Sequence, residues 1–306
     1  MQTKRVMRIV CAVATAALVV ATADAALAQA KKPKIVIVAT GGTIAGASAE
    51  ATDAGYKSGA VGVDQLVAAV PQMKDIVTVA GEQIASIGSQ DMNDEVWLKL
   101  GKRVNEILAQ PDVTGVAVTH GTDTMEETSY FLYLVVKSDK PVVLTGSMRP
   151  STAMSADGPL NIYNAVAIAA DPGAVGRGVM VTVDDDIHSA HDIVKFHTTD
   201  VGTMRSGEAG LVGATLFGKN TWYRTPASVH GKASDLSIDG VNALPRVDII
   251  YAHANMSPDI ISSAVANGAL LRAPGPRPLT GAPLGAAANM KKNEDWTTPV
   301  RAGVAA

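Results

Sequence analysis

The sequence contains a single cysteine, Cys11, which lies in an apolar segment near the amino terminus. Beyond that segment the chain therefore has no disulfide framework, no thiolate metal site and no cysteine nucleophile. Basic residues are not in excess either, because the formal net charge of the 306 residues is −3 at pH 7. This charge balance gives no reason to expect a nucleic acid or an anionic membrane surface as a partner.

Residues 1–30 lack an apolar run long enough to cross a bilayer. Lys4, Arg5 and Arg8 precede the segment IVCAVATAALVV, which is shorter than the roughly 18 to 20 residues that a transmembrane helix needs. The small-residue patterns Ala-Leu-Ala and Ala-Gln-Ala follow, as expected for a cleavage site. We therefore expect residues 1–30 to be a signal peptide rather than a membrane anchor, and the mature protein to be periplasmic or secreted.

Hydrophobic residues make up 47% of the chain, which is enough for a real core. Short runs rich in valine or isoleucine are typical of parallel strands buried on both faces; they are KIVIVAT (34–40), VTGVAVTH (113–120), PVVLTG (141–146) and GVMVTVDD (178–185). Between them lie helical segments that begin at Asn93, Met125 and Gly158, and Asn93 is placed to cap the first. The alternation predicts an α/β domain with a mainly parallel sheet.

The predicted domains are a catalytic domain over residues 31–225, a linker over 226–245 and a smaller region over 246–306. In that region RVDIIYAHAN is a strand candidate and PDIISSAVANG a helix candidate. From Ala269 onward the chain is rich in alanine, glycine and proline without a sustained period, which predicts loop or disorder. We interpret 246–306 as a truncated or aberrant domain, with a frameshift as the hypothesis that resequencing would test.

Polar clusters follow three of the predicted strands. They are GGTIAG (41–46), GTDTMEE (121–127) and SMRPSTAMSADG (147–158). In an open parallel sheet, ligands bind beyond the carboxyl ends of the strands, where these clusters lie. A threonine hydroxyl needs a partner that takes its proton, and Lys195 and Tyr56 are candidates for that role.

Each cluster also has a simpler interpretation. In this interpretation Thr122, Asp123 and Thr124 do no more than cap a helix, and Glu126 and Glu127 are favoured in its first turn by the helix dipole. The segment GGTIAG can be a nucleotide-binding turn, although it lacks the spacing of a dinucleotide or P-loop motif. Metal binding has histidine candidates at His188, His191 and His197, but no recognised ligand spacing accompanies them. We therefore predict no metal site.

Long collinear motifs then identify a resemblance. The chain resembles the bacterial type II L-asparaginases and glutaminase-asparaginases over about residues 34–268. The segments that carry the resemblance are VATGGTIAG (38–46), GEQIASIGSQDMND (81–94), GVAVTHGTDTMEET (115–128), KPVVLTGSMRPSTAMSADGPLNIYNAV (140–166) and TTDVGT (198–203). The resemblance implies a flavodoxin-like α/β amino-terminal domain, a smaller α/β carboxy-terminal domain and a homotetramer. It also implies hydrolysis of L-asparagine without a metal or organic cofactor, and leaves L-glutamine open as a second substrate.

The resemblance assigns a role to each candidate residue. Thr43 matches the family's nucleophile, and Tyr56 matches the loop tyrosine that helps to activate it. Thr122 matches a second essential threonine that is linked to Lys195 and Asp123 in a proton relay. The substrate's α-carboxylate is expected at Ser89 and Gln90, and its α-ammonium at Asp123 and Asn255. Glu126 and Glu127 have no such match and are interpreted as helix-capping residues.

The sequence departs from the family after about residue 268. The family's second domain contributes a glutamate near the tyrosine loop, and no position here matches it; Glu294 lies in a segment that cannot be aligned. This departure supports an alternative from another class, a catalytically inactive amino-acid-binding relative or fragment. A nucleotide-binding domain is a third interpretation, which would predict nucleotide binding and no release of ammonia.

Overall fold

The computed structural model describes residues 32–53, 55–250, 254–268 and 270–271. The predicted signal peptide and most of the alanine- and proline-rich tail lie outside the described residues. The chain divides into two compact units, one ending at Gly240 and the other beginning at Val241. No helix in the described ranges is long and apolar enough to cross a membrane.

The described part of the first unit is built from ten strands and five helices. The strands are β1 (Lys34–Gly41), β2 (Thr78–Ile87), β3 (Gly115–Thr119), β4 (Val142–Thr145), β5 (Val179–Val183), β6 (Asp186–Ser189), β7 (Ile193–Lys195), β8 (Met204–Ser206), β9 (Gly213–Leu216) and β10 (Lys219–Trp222). The helices are α1 (Val63–Ala68), α2 (Met73–Ile76), α3 (Asp94–Ala109), α4 (Met125–Val135) and α5 (Gly158–Ala170). The four predicted strands and three predicted helices are all present.

Eight strands form one sheet in the order β10-β9-β6-β5-β4-β3-β1-β2. The segment β2-β1-β3-β4-β5 is parallel, whereas β6, β9 and β10 pair antiparallel at the other end. The parallel order 2-1-3-4-5 is that of flavodoxin, so the predicted flavodoxin-like α/β class is confirmed. Strands β7 and β8 form a separate two-stranded ribbon.

Apolar side chains cover both faces of the sheet. Along β1, Val36 and Val38 belong to the core cluster that also contains residues of α3 and α4. Their neighbours Ile35 and Ile37 belong to a second cluster, with residues of α1, α2 and α5. Burial on both faces explains why the central strands appear as continuous apolar runs in the sequence.

Helix α3 begins where its sequence predicts. The Asn93 side chain accepts a hydrogen bond of 3.1 Å from the main-chain N–H of Val96, which satisfies one of the free donors at the helix start. The buried positions of the helix include Leu100, Val104 and Leu108, spaced by one turn. Capping and burial together position the helix against the sheet.

The second unit contains two short strands and one helix in its described residues. They are β11 (Val247–Asp248), β12 (Leu270–Leu271) and α6 (Pro258–Ala266), and β11 pairs parallel with β12. The helix candidate at residues 258–268 is therefore present. Most of the tail after residue 268, on which the truncation hypothesis depends, lies outside the described residues.

Candidate active site

The candidate site lies where the chain leaves β1 and β3, which are neighbours in the sheet. Strand β1 is flanked by β2 on one side and by β3 on the other, so this is the switch point at which ligands bind in open parallel sheets. A short 3-10 turn follows each strand, Thr43–Ala45 after β1 and Thr122–Thr124 after β3. The fold therefore brings the two predicted threonine motifs to one edge of the sheet.

The two motifs touch through their backbones. Gly42 has φ 81° and ψ −174°, a conformation open essentially only to glycine. A Cβ atom at Gly42 would overlap the main-chain N and Cα of Gly121. Glycine at both positions therefore allows the loops after β1 and β3 to pack directly against each other.

Thr43 is buried, and its hydroxyl Oγ1 lies 2.6 Å from the phenolic Oη of Tyr56. Tyr56 belongs to the loop after β1, which folds back through an antiparallel bridge between Ala47 and Lys57. Tyr56 is 40% exposed, so the tyrosine faces solvent whereas Thr43 faces the protein interior. The structure thus joins the predicted nucleophile to the predicted loop tyrosine.

The loop that carries Tyr56 is hydrogen-bonded to the loop that follows β4. Ser151 donates hydrogen bonds of 2.9 Å from its main-chain N and 2.7 Å from Oγ to the carbonyl of Gly46. The hydroxyl of Thr152 accepts a 2.9 Å bond from the main-chain N of Ser48. The sequence predicts that the polar segment after β4 lies at the strand ends, but its residue spacing gives no sign of this contact.

Lys195, at the end of β7, reaches the motif that follows β3. Its Nζ donates a hydrogen bond of 2.8 Å to Thr122 Oγ1 and one of 2.5 Å to Asp123 Oδ1. The lysine side chain is 15% exposed, whereas that of Asp123 is 58% exposed and open to a ligand. The Thr122 hydroxyl also lies 3.3 Å from the sulfur of Met148, a weak acceptor. Three predicted residues therefore form one connected group.

Ser89 and Gln90 lie in a 3-10 turn that follows β2, the strand on the other side of β1. The Ser89 Oγ accepts a bond of 3.2 Å from the main-chain N of Asp123, and its carbonyl accepts one of 2.8 Å from Thr124 Oγ1. Gln90 is exposed, with Nε2 3.4 Å from Asp91 Oδ2. Asn255 belongs to the second unit, where it is an exposed turn residue with φ 61°.

A buried histidine forms hydrogen bonds within the motif that follows β3. His120 Nδ1 lies 2.6 Å from the carbonyl of Gly121, so Nδ1 carries the proton and donates. Its Nε2 then accepts from Thr128 Oγ1 at 2.9 Å, and Thr128 in turn accepts from Trp97 Nε1 at 2.8 Å. Burial lowers the pKa of His120 to about 4, so the ring is neutral and held in one tautomer.

The capping interpretation of this cluster is wrong for the threonines. Thr124 occupies the N-cap position of α4, but no side chain there forms a capping hydrogen bond. Its hydroxyl donates to Ser89 instead. Glu126 lies in the first turn of α4, as predicted, but its Oε2 accepts a bond of 2.5 Å from the main-chain N of Lys195. Sequence spacing gave no signal for this contact.

The three histidines considered as metal ligands occupy different surroundings. His188 is buried and its Nδ1 lies 2.9 Å from Ser206 Oγ, while the exposed His191 packs against the rings of Tyr130 and Tyr133. His197 is exposed and accepts main-chain hydrogen bonds within its own turn. Among the residues that the structure describes, no group of three or more potential ligands could hold a metal ion.

Comparison with known proteins gives a family match over the first unit. The family model described as "Asparaginase, N-terminal" matches residues 34–228. The chain is 49% identical over 271 residues to L-asparaginase 2 of Escherichia coli (strain K12), covering 85% of this chain and 76% of that protein. It is 47% identical to the probable periplasmic L-asparaginase of Haemophilus influenzae, with 77% and 70% of the two chains covered.

Two further similarities bear on substrate and fold. The glutaminase-asparaginase of Pseudomonas fluorescens biotype A is 46% identical, with 78% of this chain and 66% of that protein covered. The crystal structure of a probable cytoplasmic L-asparaginase from Campylobacter jejuni superimposes with a TM-score of 0.76 at 44% identity, covering 78% of this chain and 73% of that one. The chain thus spans two thirds to about three quarters of the length of these proteins.

Proposed function

This chain belongs to the asparaginase family, and on that premise we propose that it hydrolyses the side-chain amide of L-asparagine to L-aspartate and ammonia. The observation that carries the proposal is the group formed by Lys195 Nζ with Thr122 Oγ1 at 2.8 Å and Asp123 Oδ1 at 2.5 Å. The group lies at the strand end next to Thr43. A structural cap would not need a largely covered lysine in this position.

In the proposed reaction, Thr43 is the nucleophile. Its hydroxyl loses a proton through the hydrogen bond to Tyr56, and Oγ1 attacks the side-chain carbonyl carbon of the substrate. The C–N bond then breaks, the nitrogen leaves as ammonia after taking up a proton, and an ester links the aspartyl group to Thr43. Water hydrolyses this ester, releases L-aspartate and returns the proton to the threonine.

Thr122, Lys195 and Asp123 form the proposed proton relay. Lys195 is a flexible side chain whose amine can hold or release a proton when its surroundings change. It is joined to the Thr122 hydroxyl on one side and to the Asp123 carboxylate on the other. Arrival of a cationic group at the exposed side of Asp123 weakens the attraction between this carboxylate and the lysine amine. The Lys195 proton can then pass to the Thr122 hydroxyl as that hydroxyl gives its own proton to the leaving nitrogen.

The polar residues around the relay suit a substrate with one cation and one anion. The exposed carboxylate of Asp123 is the proposed ligand of the substrate's α-ammonium. The hydroxyl of Ser89 and the amide of Gln90 are the proposed ligands of its α-carboxylate, and both belong to the turn that packs against Asp123. Asn255 is proposed as a second ligand of the α-ammonium, on the basis of the family resemblance alone.

L-Glutamine is a proposed second substrate. It differs from L-asparagine by one methylene, which changes binding by only about 1 to 3 kcal/mol in a pocket of fixed shape. A relative at 46% identity is named a glutaminase-asparaginase. The ratio of the two activities is therefore a property to be measured.

We propose further that the mature protein is periplasmic or secreted and that it acts as a homotetramer. The basic and apolar leader of residues 1–30 supports export, as does the name of the Haemophilus influenzae relative, whereas the Campylobacter jejuni relative is called cytoplasmic. The tetramer is inferred from the family resemblance. Fractionation and light scattering on the full chain would test the two proposals.

Release of ammonia from purified protein tests the proposed activity. The parent, Thr43→Ala and a control with an exposed threonine changed, Thr78→Ala, are each supplied with L-asparagine and with L-glutamine. We expect release from the parent and the control and none above background from Thr43→Ala. A folded parent that releases no ammonia would instead support the inactive amino-acid-binding relative.

A further inference from the structure

Glu126 contacts the main chain of the relay lysine. It lies in the first turn of α4, one turn after Thr122, and its carboxylate Oε2 accepts a hydrogen bond of 2.5 Å from the main-chain N of Lys195. The two residues are 69 positions apart in the sequence. The contact is therefore a property of the tertiary fold and not of the helix end.

Lys195 needs such a contact because of where it lies. It is the last residue of β7, which belongs to the two-stranded ribbon and not to the main sheet. On one side the ribbon pairs β7 with β8, with Lys195 opposite Met204. The main-chain N–H of Lys195 points to the other side, where Glu126 accepts it and joins this edge of the ribbon to α4.

The Lys195 amine must be held in one position if it is to reach Thr122. A lysine stem has several rotatable bonds, so its amine is held only as well as its main chain and its acceptors allow. Both acceptors, Thr122 Oγ1 and Asp123 Oδ1, lie in the turn that runs directly into α4. Glu126 is on the same continuous segment. Residues 122–126 therefore form hydrogen bonds with both the main-chain N–H and the side-chain amine of Lys195.

We propose that Glu126 is a positioning residue, which fixes the main chain of Lys195 so that the amine reaches Thr122. The proposal rests on the proposed function and deepens it. Glu126 acts through another residue and has no contact of its own with the reacting atoms. The hydrogen-bond acceptor and its reach are the properties required, and the negative charge is not.

Variants that separate reach from charge test the proposal. Glu126→Gln keeps the length and an acceptor oxygen but removes the charge, whereas Glu126→Asp keeps the charge but is one methylene shorter. Glu126→Ala removes both. Glu127→Ala is the matched control, because Glu127 lies in the same first turn and is exposed. The two crossed variants keep the test valid even if the alanine variant does not fold.

We expect Glu126→Gln and Glu127→Ala to keep kcat within about 3-fold of the parent and the same pH profile. Glu126→Asp and Glu126→Ala should lose about 10- to 100-fold in kcat, the cost of a reacting group misplaced by about an ångström, with a smaller change in KM. Parent-like kcat in Glu126→Asp would overturn the proposal. Loss in Glu126→Gln with a displaced pH profile would also overturn it and assign the effect to charge.

A second readout does not depend on turnover. Hydrogen–deuterium exchange of the peptide that contains Lys195 should be faster in Glu126→Asp and Glu126→Ala than in the parent and in Glu126→Gln, because the amide loses its acceptor. Unchanged exchange in both shortened variants would contradict the proposal. If the parent released no ammonia but the exchange followed this pattern, the proposed function would fail while the positioning contact would stand.

Discussion

The amine of Lys195 donates a hydrogen bond of 2.8 Å to the hydroxyl of Thr122 across two elements that are distant in the sequence. The same amine lies 2.5 Å from Asp123 Oδ1, so the lysine links a hydroxyl to a carboxylate. Such a chain of groups can pass a proton in either direction. Removal of the amine should therefore interrupt the proposed relay.

Lys195→Met should lower kcat by about 10² to 10⁴-fold, the usual contribution of a positioned acid or base, while the protein stays folded. Methionine has a similar length but cannot donate or accept the proton. Steady-state release of ammonia from L-asparagine measures the effect. Lys219→Met, at an exposed position of the edge strand β10, is the control and should retain full activity. Equal activity in the two variants would remove Lys195 from the relay.

Tyr56→Phe should lower kcat by about 10²-fold or more, because it removes only the oxygen that lies 2.6 Å from Thr43 Oγ1. The ring that packs on Gly46 remains, so the loop should keep its position. Tyr223→Phe removes a hydroxyl from a tyrosine that is 60% exposed and serves as the control. If Tyr56→Phe kept the parental kcat, a different group would have to activate Thr43.

Gly42→Ala should both destabilise the protein and abolish activity. Alanine at φ 81° is strained, and its Cβ would overlap Gly121 and separate the two threonine loops. Gly176→Ala is a matched control, since Gly176 has φ 75° but open space around it. Urea unfolding should show a loss of about 1 kcal/mol for Gly176→Ala and of about 3 kcal/mol or more for Gly42→Ala. Similar losses in the two variants would show that the loops do not depend on this close approach.

Stability should fall as the pH drops from 6.5 towards 4, because burial lowers the pKa values of His120 and His188 to about 4 from the ordinary 6.5. In this range the unfolded chain binds the protons that the native protein excludes, so each histidine's contribution is complete above pH 6.5 and is lost on acidification. Each can account for about 3 kcal/mol at most. Urea unfolding across this range measures the slope.

His188→Gln provides the comparison, and it should flatten the dependence of the unfolding free energy on pH. His197→Gln, at an exposed histidine, should leave that dependence as in the parent. Partial desolvation of the carboxyl groups and neighbouring negative charges raise the pKa values of Glu127, which is exposed as a residue, and of Asp186. These carboxyls therefore act in the opposite sense, equally in every variant. An unchanged slope in His188→Gln would contradict the assignment.

The sequence allowed the centre of the fold to be predicted, but not its edges. Strands β1, β3, β4 and β5 are buried on both faces and therefore appear as continuous apolar runs. Strand β2 is also parallel, yet it lies at the edge of the sheet and is half-exposed, so its sequence TVAGEQIASI has no such run. The short antiparallel strands contain polar residues such as Asp186 and Asn220 and give little periodic signal.

The site was predictable to a similar degree. The rule that ligands bind at the carboxyl ends of parallel strands pointed to the loops of Thr43 and Thr122. The need of a threonine for a proton acceptor suggested Tyr56 and Lys195, and the family resemblance assigned their roles. Contacts between side chains and distant main-chain groups could not be predicted. The bonds of Glu126 to Lys195 and of Ser151 to Gly46 depend on how the loops pack and have no counterpart in the spacing of residues.

Trapping of the covalent intermediate tests the central claim most directly. The parent protein is mixed rapidly with L-asparagine, quenched in acid and digested, and each peptide is weighed by mass spectrometry. The account predicts an aspartyl ester on the peptide that contains Thr43, formed in step with the first ammonia released and absent from Thr43→Ala. An ester on the Thr122 peptide in place of Thr43, or ammonia release by Thr43→Ala at the parental rate, would contradict it.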